Sequence, residues 1–208
     1  MPDTAASLPL PTAVLFGLSG CLVDFGATHH PAMCVEVLQD PPSPASLTPG
    51  AAAALAFLES SEVPCAWLEQ LPAHTCSALA QELPSSVRSV CQRPDTPPWP
   101  APDACWQALM QLGIGRLEGC ILVSGDPQLL RSGLNAGLWT IGLASCGPLC
   151  GLGPEAWQAL NTQQRKQKRA RATLDLYALG VHSVIDHLEA LPNCLGDIGL
   201  RRYKGEKP

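Results

Sequence analysis

The chain has 208 residues, 46% of them apolar and 15% charged, which suffices for one sizeable core and is too little for two comfortable domains. A net charge of -5 argues against nucleic acid or an anionic membrane surface as a partner. No run approaches the roughly 20 apolar residues that a membrane helix needs.

Thr12 to Val23 imitates the middle of a signal peptide, but no basic residue precedes it and Asp24 follows it; a cytoplasmic protein is expected. Residues 1–10 read as an N-terminal tail. Ala13 to Phe16 forms a first strand, followed by the turn Gly17-Leu18-Ser19-Gly20. Thr48-Pro49-Gly50 opens a helix through Ala51 to Ser61, with the threonine as cap and the proline early in the helix. Val63 to Leu68 is a second strand, Pro72 to Leu83 a short helix and Val87 to Cys91 a third strand. The prolines, 21 in all, gather at Pro41 to Pro49 and Pro94 to Pro102, where their missing N–H groups demand loops.

Asp103 to Leu112 has helical spacing and stops at Gly113. Cys120 to Val123 is a strand, Gln128 to Asn135 a helix, and Trp139 to Leu143 a strand entered through Gly137. Pro154 to Leu179 reads as one long helix ended by Gly180. Val181 to Ile185 and Leu188 to Leu195 supply a last strand and helix, and residues 199–208 read as a disordered tail. Strands alternating with helices signal an α/β fold, a three-layer doubly wound parallel sheet over residues 11–198.

The ten cysteines show no CxxC. Cys146 and Cys150 lack the further ligands of a zinc site, so buried thiols in a reducing compartment are expected. His29, His30, His74, His182 and His187 form no ligand pattern. The basic run Arg165-Lys166-Gln167-Lys168-Arg169-Ala170-Arg171 reads as a solvated helix face, with an acidic partner or a nuclear localisation signal as the alternative. The prolines around Trp99 read as a plain loop rather than a polyproline ligand.

Three strings carry a family resemblance: Gly133-Leu-Asn-Ala-Gly-Leu-Trp-Thr-Ile-Gly142, Gly151-Leu-Gly-Pro-Glu-Ala-Trp157 and Gly180-Val-His-Ser-Val-Ile-Asp186. With Val14 to Gly26 and Thr48-Pro-Gly50, they make the chain resemble phosphonoacetaldehyde hydrolase, the phosphonatase of the haloacid dehalogenase superfamily. The resemblance implies a haloacid dehalogenase-like core, an aspartate nucleophile after the first strand, a hydroxyl after the second and a cation in a proline-rich third motif. It further implies two carboxylates holding Mg²⁺, and a helical cap whose lysine forms a Schiff base with the aldehyde.

At the corresponding positions this chain has Gly17 and Ser19 in the first motif, Leu68 in the second, Trp99 in the third, and Gly125 and Leu129 in the fourth. The segment 27–48, in place of the cap, contains no lysine; the cap is expected to be absent or vestigial. Groups that act as a unit do not substitute for one another, so the expectation is a catalytically inactive protein without cofactor, acting as a binding or scaffold module. A protein partner or a homodimer stays open. Asp24 and Asp126 are the remaining metal candidates; the alternative reading has Asp24 ordering its loop and Asp126 capping a helix. The competing class is an active Mg²⁺-dependent hydrolase of phosphonoacetaldehyde or a small phosphate ester. A cap-deleted splice product accounts for the short segment but not for Gly17, Trp99 and Gly125. A third reading is the unstable product of a decaying gene.

Overall fold

The computed structural model describes residues 8–28, 45–90 and 95–208. His29, His30, Cys34, Cys91 and most of the segment 27–48 lie outside the described residues. Six strands, β1 (Ala13–Gly17), β2 (Cys65–Leu68), β3 (Arg88–Ser89), β4 (Cys120–Ser124), β5 (Trp139–Leu143) and β6 (Ser183–Ile185), form one sheet in the order β3-β2-β1-β4-β5-β6. Every pairing is parallel. Among the described residues seven helices connect or flank them: α1 (Ala51–Ser60), α2 (Ala73–Leu79), α3 (Asp103–Gln111), α4 (Pro127–Asn135), α5 (Pro154–Ala159), α6 (Thr162–Ala178) and α7 (Leu191–Tyr203).

The central strands are apolar on both faces because both faces are covered. In β1, Val14 and Phe16 join the cluster that holds Ala51, Ala54, Leu55 and Leu58 of α1 and Leu191, Leu195 and Ile198 of α7. Their neighbours Ala13 and Leu15 join Ala104, Ala108 and Leu109 of α3 and Leu129 of α4. This is the two-residue alternation of a strand read out as two cores. Each large apolar side chain so buried contributes about 1.5–3 kcal/mol. A smaller cluster seats α6 through Ala172 and Leu176 against Leu130, Ala144 and Val181.

Strand order positions the site. From β1 the chain runs outward through β2 to β3, then returns to β4 on the other side of β1. Such a reversal leaves a crevice at the carboxyl ends of the strands, between β1 and β4.

Five expectations need correction. The span Pro154 to Leu179 is two helices, broken at Leu160 and Asn161. There the Asn161 side chain accepts from the Gln164 N–H (2.9 Å) and the Gln164 side chain accepts from the Asn161 N–H (3.0 Å). This reciprocal cap starts a new helix. The closing helix is not confined to Leu188–Leu195: a 3-10 turn at Leu188–Ala190 leads into α7, which runs to Tyr203. The expected disordered tail is therefore helical in part, anchored by Arg202 donating to the Leu10 (2.8 Å) and Pro9 (3.3 Å) carbonyls. These bonds also tie down residues 9 and 10 of the expected N-terminal tail. Thr48 does not cap α1; Gly50 is the N-cap residue, and the Thr48 hydroxyl donates to the Cys21 carbonyl, binding the start of α1 to the β1 turn. The third strand shrinks to two residues, because Pro84 ahead of it and the proline-rich loop behind it leave little chain free to pair.

Candidate functional site at the carboxyl end of the sheet

Gly17 is the last residue of β1 and pairs in register with Leu68, the last of β2. On the other side β4 ends at Ser124, followed by Gly125 and Asp126. The parallel register therefore gathers the first, second and fourth motif positions at one edge of the sheet. Trp99 arrives from the loop before α3. That loop is held to α4 by Ser132 donating to the Ala101 carbonyl (2.5 Å) and Asn135 donating to the Pro100 carbonyl (2.8 Å).

These residues make an apolar plug rather than a polar cleft. Leu68 and Leu129 are both fully buried and belong to one hydrophobic cluster, against which Trp99 packs. The buried Trp99 Nε1 has no hydrogen-bond partner among the described residues, so the indole serves here as apolar bulk. A Cβ added at Gly17 would lie 2.8 Å from Ser124 Oγ, 3.3 Å from a Leu129 methyl carbon and 3.5 Å from Cys21 Cβ. A side chain at the end of β1 would require Ser124 Oγ and Leu129 to shift.

Glycine carries a second closure. A Cβ at Gly125 would meet the Cys146 carbonyl oxygen at 2.6 Å and that of Gly20 at 2.7 Å. A Cβ at Gly20, whose φ is +69, would lie 2.6 Å from the Gly147 Cα. Three chain segments thus approach backbone to backbone, which only residues without side chains permit. The Gly147 N–H donates to the Phe25 carbonyl at 2.9 Å, pinning the loop after β1 to the loop after β5.

The acidic groups are held by their own backbone and hydroxyl neighbours. Asp24 accepts from the Ser19 hydroxyl (2.7 Å), the Thr28 hydroxyl (2.7 Å) and the Thr28 N–H (3.1 Å), ordering the loop after β1. Asp126 accepts from the Gln128 N–H (2.6 Å) and the Leu129 N–H (3.4 Å), as the N-cap of α4. Asp186, after β6, is paired with Arg169 of α6. Glu69, one residue past β2, accepts from the Ser19 N–H (3.0 Å) and the Gln70 N–H (2.7 Å). Among the described residues no group of three or more His, Cys, Asp or Glu is arranged to hold a metal ion. With Gly125 sterically closed and Leu129 apolar, the residues at the fourth-motif positions do not fit Mg²⁺, which requires oxygen ligands.

Eight of the ten cysteines fall within the described residues, and all eight are buried. Burial pushes the Cys65 and Cys146 thiols up to about 12, and those of Cys105 and Cys120 up to about 11. The Cys21 thiol, beside Gly17, is raised well above its ordinary value by its burial and by Cys146. Thiols in this condition are poor nucleophiles.

The other candidate groups lie apart. His182 is at the opposite end of the sheet: its Nδ1 accepts from the Thr140 N–H at 3.0 Å, and its ring packs at 4.8 Å from Trp139. His74 is exposed on α2. The basic run on α6 divides, with Arg169 bound to Asp186, Arg165 donating to the Leu160 carbonyl (3.0 Å) and Arg171 paired with Asp175 (3.2 Å). Lys166 and Lys168 are exposed. Sequence reasoning missed Glu69, Ser124 and Gly147 as parts of this site; no local signal marks any of them.

The parallel sheet with helices on both faces is a haloacid dehalogenase-like α/β fold. A solved hydrolase of that superfamily from Ehrlichia chaffeensis aligns with a TM-score of 0.54 at 16% identity, over 82% of this chain and all of its own. A phosphonoacetaldehyde hydrolase-like protein from Oleispira antarctica aligns with a TM-score of 0.83 at 21% identity, over 97% of each chain. Another solved chain is 58% identical over 95% of this chain and 99% of its own length, with a TM-score of 0.87.

In sequence, the phosphonoacetaldehyde hydrolase of Klebsiella pneumoniae is 38% identical over 109 residues, 52% of this chain and 40% of the relative. That of Salmonella newport is 36% identical over the same shares. The chain thus spans about two fifths of the length of the curated relatives it matches. No protein-family model matches it. Among the described residues no helix is long and apolar enough to cross a membrane.

Proposed function

We propose that this chain is a catalytically inactive, cap-less phosphonatase-like protein that acts through protein contacts, as a binding or scaffold module, in a reducing cytoplasmic setting. The observation that carries the reading is the crowding at Gly17. The position from which a carboxylate would attack phosphorus has no side chain, and Ser124 Oγ and a Leu129 methyl carbon lie where they would have to shift to admit one. A nucleophilic mechanism has no first step without that group. The apolar packing of Leu68, Leu129 and Trp99 supports the same reading, since transferred phosphoryl charge needs fixed dipoles or cations around it. The segment between Gly26 and Thr48 brings no lysine, which argues against Schiff-base chemistry there. The eight buried cysteines among the described residues support the reducing compartment.

The active-hydrolase reading is tested directly. Purified protein with Mg²⁺ is incubated with phosphonoacetaldehyde and with p-nitrophenyl phosphate, beside an Asp126→Asn variant. Asparagine caps helices about as well as aspartate, so that variant removes charge with little cost to the fold. The expected result is no turnover above buffer in either protein. Turnover in the wild type that disappears in Asp126→Asn overturns the inactive reading.

A further inference from the structure

At the amino end of the sheet an arginine beside a cavity keeps one edge without an acceptor among the described residues. Arg202 of α7 is half-buried, and its Nη1 donates to the Leu10 (2.8 Å) and Pro9 (3.3 Å) carbonyls. No described residue accepts from its Nη2 or from its buried Nε. Nε and Nη2 form one of the parallel N–H pairs with which a guanidinium holds a carboxylate through two bonds.

Arg202 is also a wall of a cavity of about 460 Å³, lined by Leu117, Glu118, Trp139, Glu206 and Lys207 among others. A volume of this order suits a small ligand or the anchoring side chain of a partner. Neither carboxylate of the lining accepts from Arg202: Glu206 accepts from Arg201 at 2.7 Å, and Glu118 is exposed.

The surface around the cavity is apolar and basic. Nine large apolar side chains are exposed among the described residues, and five of them, Leu8, Leu10, Leu117, Leu200 and Tyr203, belong to this end. Leu8 packs over α7 at Gly199, Leu10 is held by Arg202, and Leu117 lines the cavity. Residues 201–208 hold Arg201, Arg202, Lys204 and Lys207 against Glu206, in a chain of net charge -5. Single exposed apolar residues need no explanation, but a group of them rimmed by charge marks a contact site.

We infer that the amino end of the sheet docks an acidic amphipathic segment of a partner protein, with a leucine or aromatic side chain in the cavity and a nearby carboxylate on the Nε–Nη2 edge of Arg202. The inference rests on the reading of the chain as a binding module and adds the surface and the partner's chemistry. Charge complementarity selects the occupant: Lys204 and Lys207 are exposed and attract acidic residues on either side of the anchor. An anionic membrane is disfavoured, because a flat surface does not enter a concave cavity walled in part by Glu118 and Glu206.

The test uses the whole chain and a fluorescein-labelled peptide, Glu-Asp-Leu-Phe-Glu-Asp-Leu, followed by anisotropy and amide NMR. Saturable binding is expected, with the Gly119, Gly137 and Gly205 amides moving and those of Gly17 and Ser19 unchanged. Serine in place of the peptide's apolar residues, or glutamine and asparagine in place of its acids, should each weaken binding about tenfold. Lys207→Glu and Tyr203→Ser change exposed side chains and should weaken it roughly fivefold each. Arg202→Lys keeps the charge without the paired N–H edge and should cost about tenfold. Arg202 also holds residues 9 and 10, so if that variant does not fold, Lys207→Glu and Tyr203→Ser decide. Absence of saturable binding, or binding indifferent to these two variants, overturns the inference. Tighter association with phosphatidylserine vesicles than with the peptide overturns it in favour of a membrane contact. Self-association of the wild type that Tyr203→Ser abolishes overturns it in favour of a second copy of this chain. Turnover of phosphonoacetaldehyde by wild type sinks the inactive reading instead and leaves the peptide result as measured, so the two failures are distinguishable.

Discussion

The two ends of the sheet are closed by opposite means. At the carboxyl end, Gly20, Gly125 and Gly147 bring backbone against backbone, and buried acids are satisfied by nearby N–H and hydroxyl groups. At the amino end, side chains make the seal: the Arg201 guanidinium lies 4.6 Å from the centroid of the Trp139 ring, and it donates to the His182 carbonyl at 3.0 Å. The Trp139 ring in turn packs on His182. A seal made of backbone admits no added atom, whereas a seal made of side chains loses only what a substitution removes. A site that must accept substrate needs room and fixed polar groups at its crevice; here the crevice end is the more tightly closed of the two.

The comparison can be broken most directly at Gly125. Gly125→Ala places a methyl group against two carbonyl oxygens that belong to backbone, and overpacking of this kind costs about 3 kcal/mol, the upper part of its usual range. Urea denaturation measures it, and a loss under 0.5 kcal/mol would show that the three segments are not held together as described.

Gly17→Asp comes next. Its neighbours are side chains that shift more readily, so a loss of about 2 kcal/mol is expected, together with no turnover of phosphonoacetaldehyde. Adding Ser124→Ala should recover part of that stability but no activity. Measurable phosphonatase activity in the single variant would contradict both the packing and the inactive reading.

At the amino end, Arg201→Met keeps aliphatic bulk and removes the cation over Trp139, the bond to the His182 carbonyl and the exposed pair with Glu206, for a loss of about 1 kcal/mol. A drop as large as that of Gly125→Ala would erase the contrast between the two ends.

The smallest effect concerns His182. Burial and the nearby Arg201 hold its imidazole below its ordinary value, and its Nδ1 accepts a hydrogen bond, which favours the neutral ring. With the folded value below the unfolded one, the unfolded state binds the extra proton first. Stability should therefore fall as pH drops through about 6.5 and level off below the folded value. His182→Gln should flatten that part of the profile, which urea midpoints between pH 5 and 8 would record. A cooperative thermal transition in the wild type is expected as well, and its absence would favour the decayed-gene reading.

Much of the architecture was legible in the sequence because it is written in local patterns. Apolar runs of strand length marked five of the six strands well, and the capping potential of Asp126 is a local property that needs only the two amides after it. The break at Asn161 was legible too, as an Asn followed three residues on by Gln, but it was masked by helix-favouring residues on both sides. The extent of α7 was not, since Gly196, Gly199 and two arginines weaken its periodicity. What holds it are contacts to Trp139, His182 and Leu10, far away along the chain.

For the candidate site, the sequence by itself determined which groups stand at each position: glycine at 17 and 125, leucine at 68 and 129, tryptophan at 99. Only the tertiary structure decided that these residues close on one another, and that Glu69 meets Ser19 across fifty residues of chain. The physical reason is the range of the interactions. Residue identity and helix capping act within a few residues, whereas steric closure and the pairing of a carboxylate with a distant amide arise only when parallel strands bring their ends to the same edge.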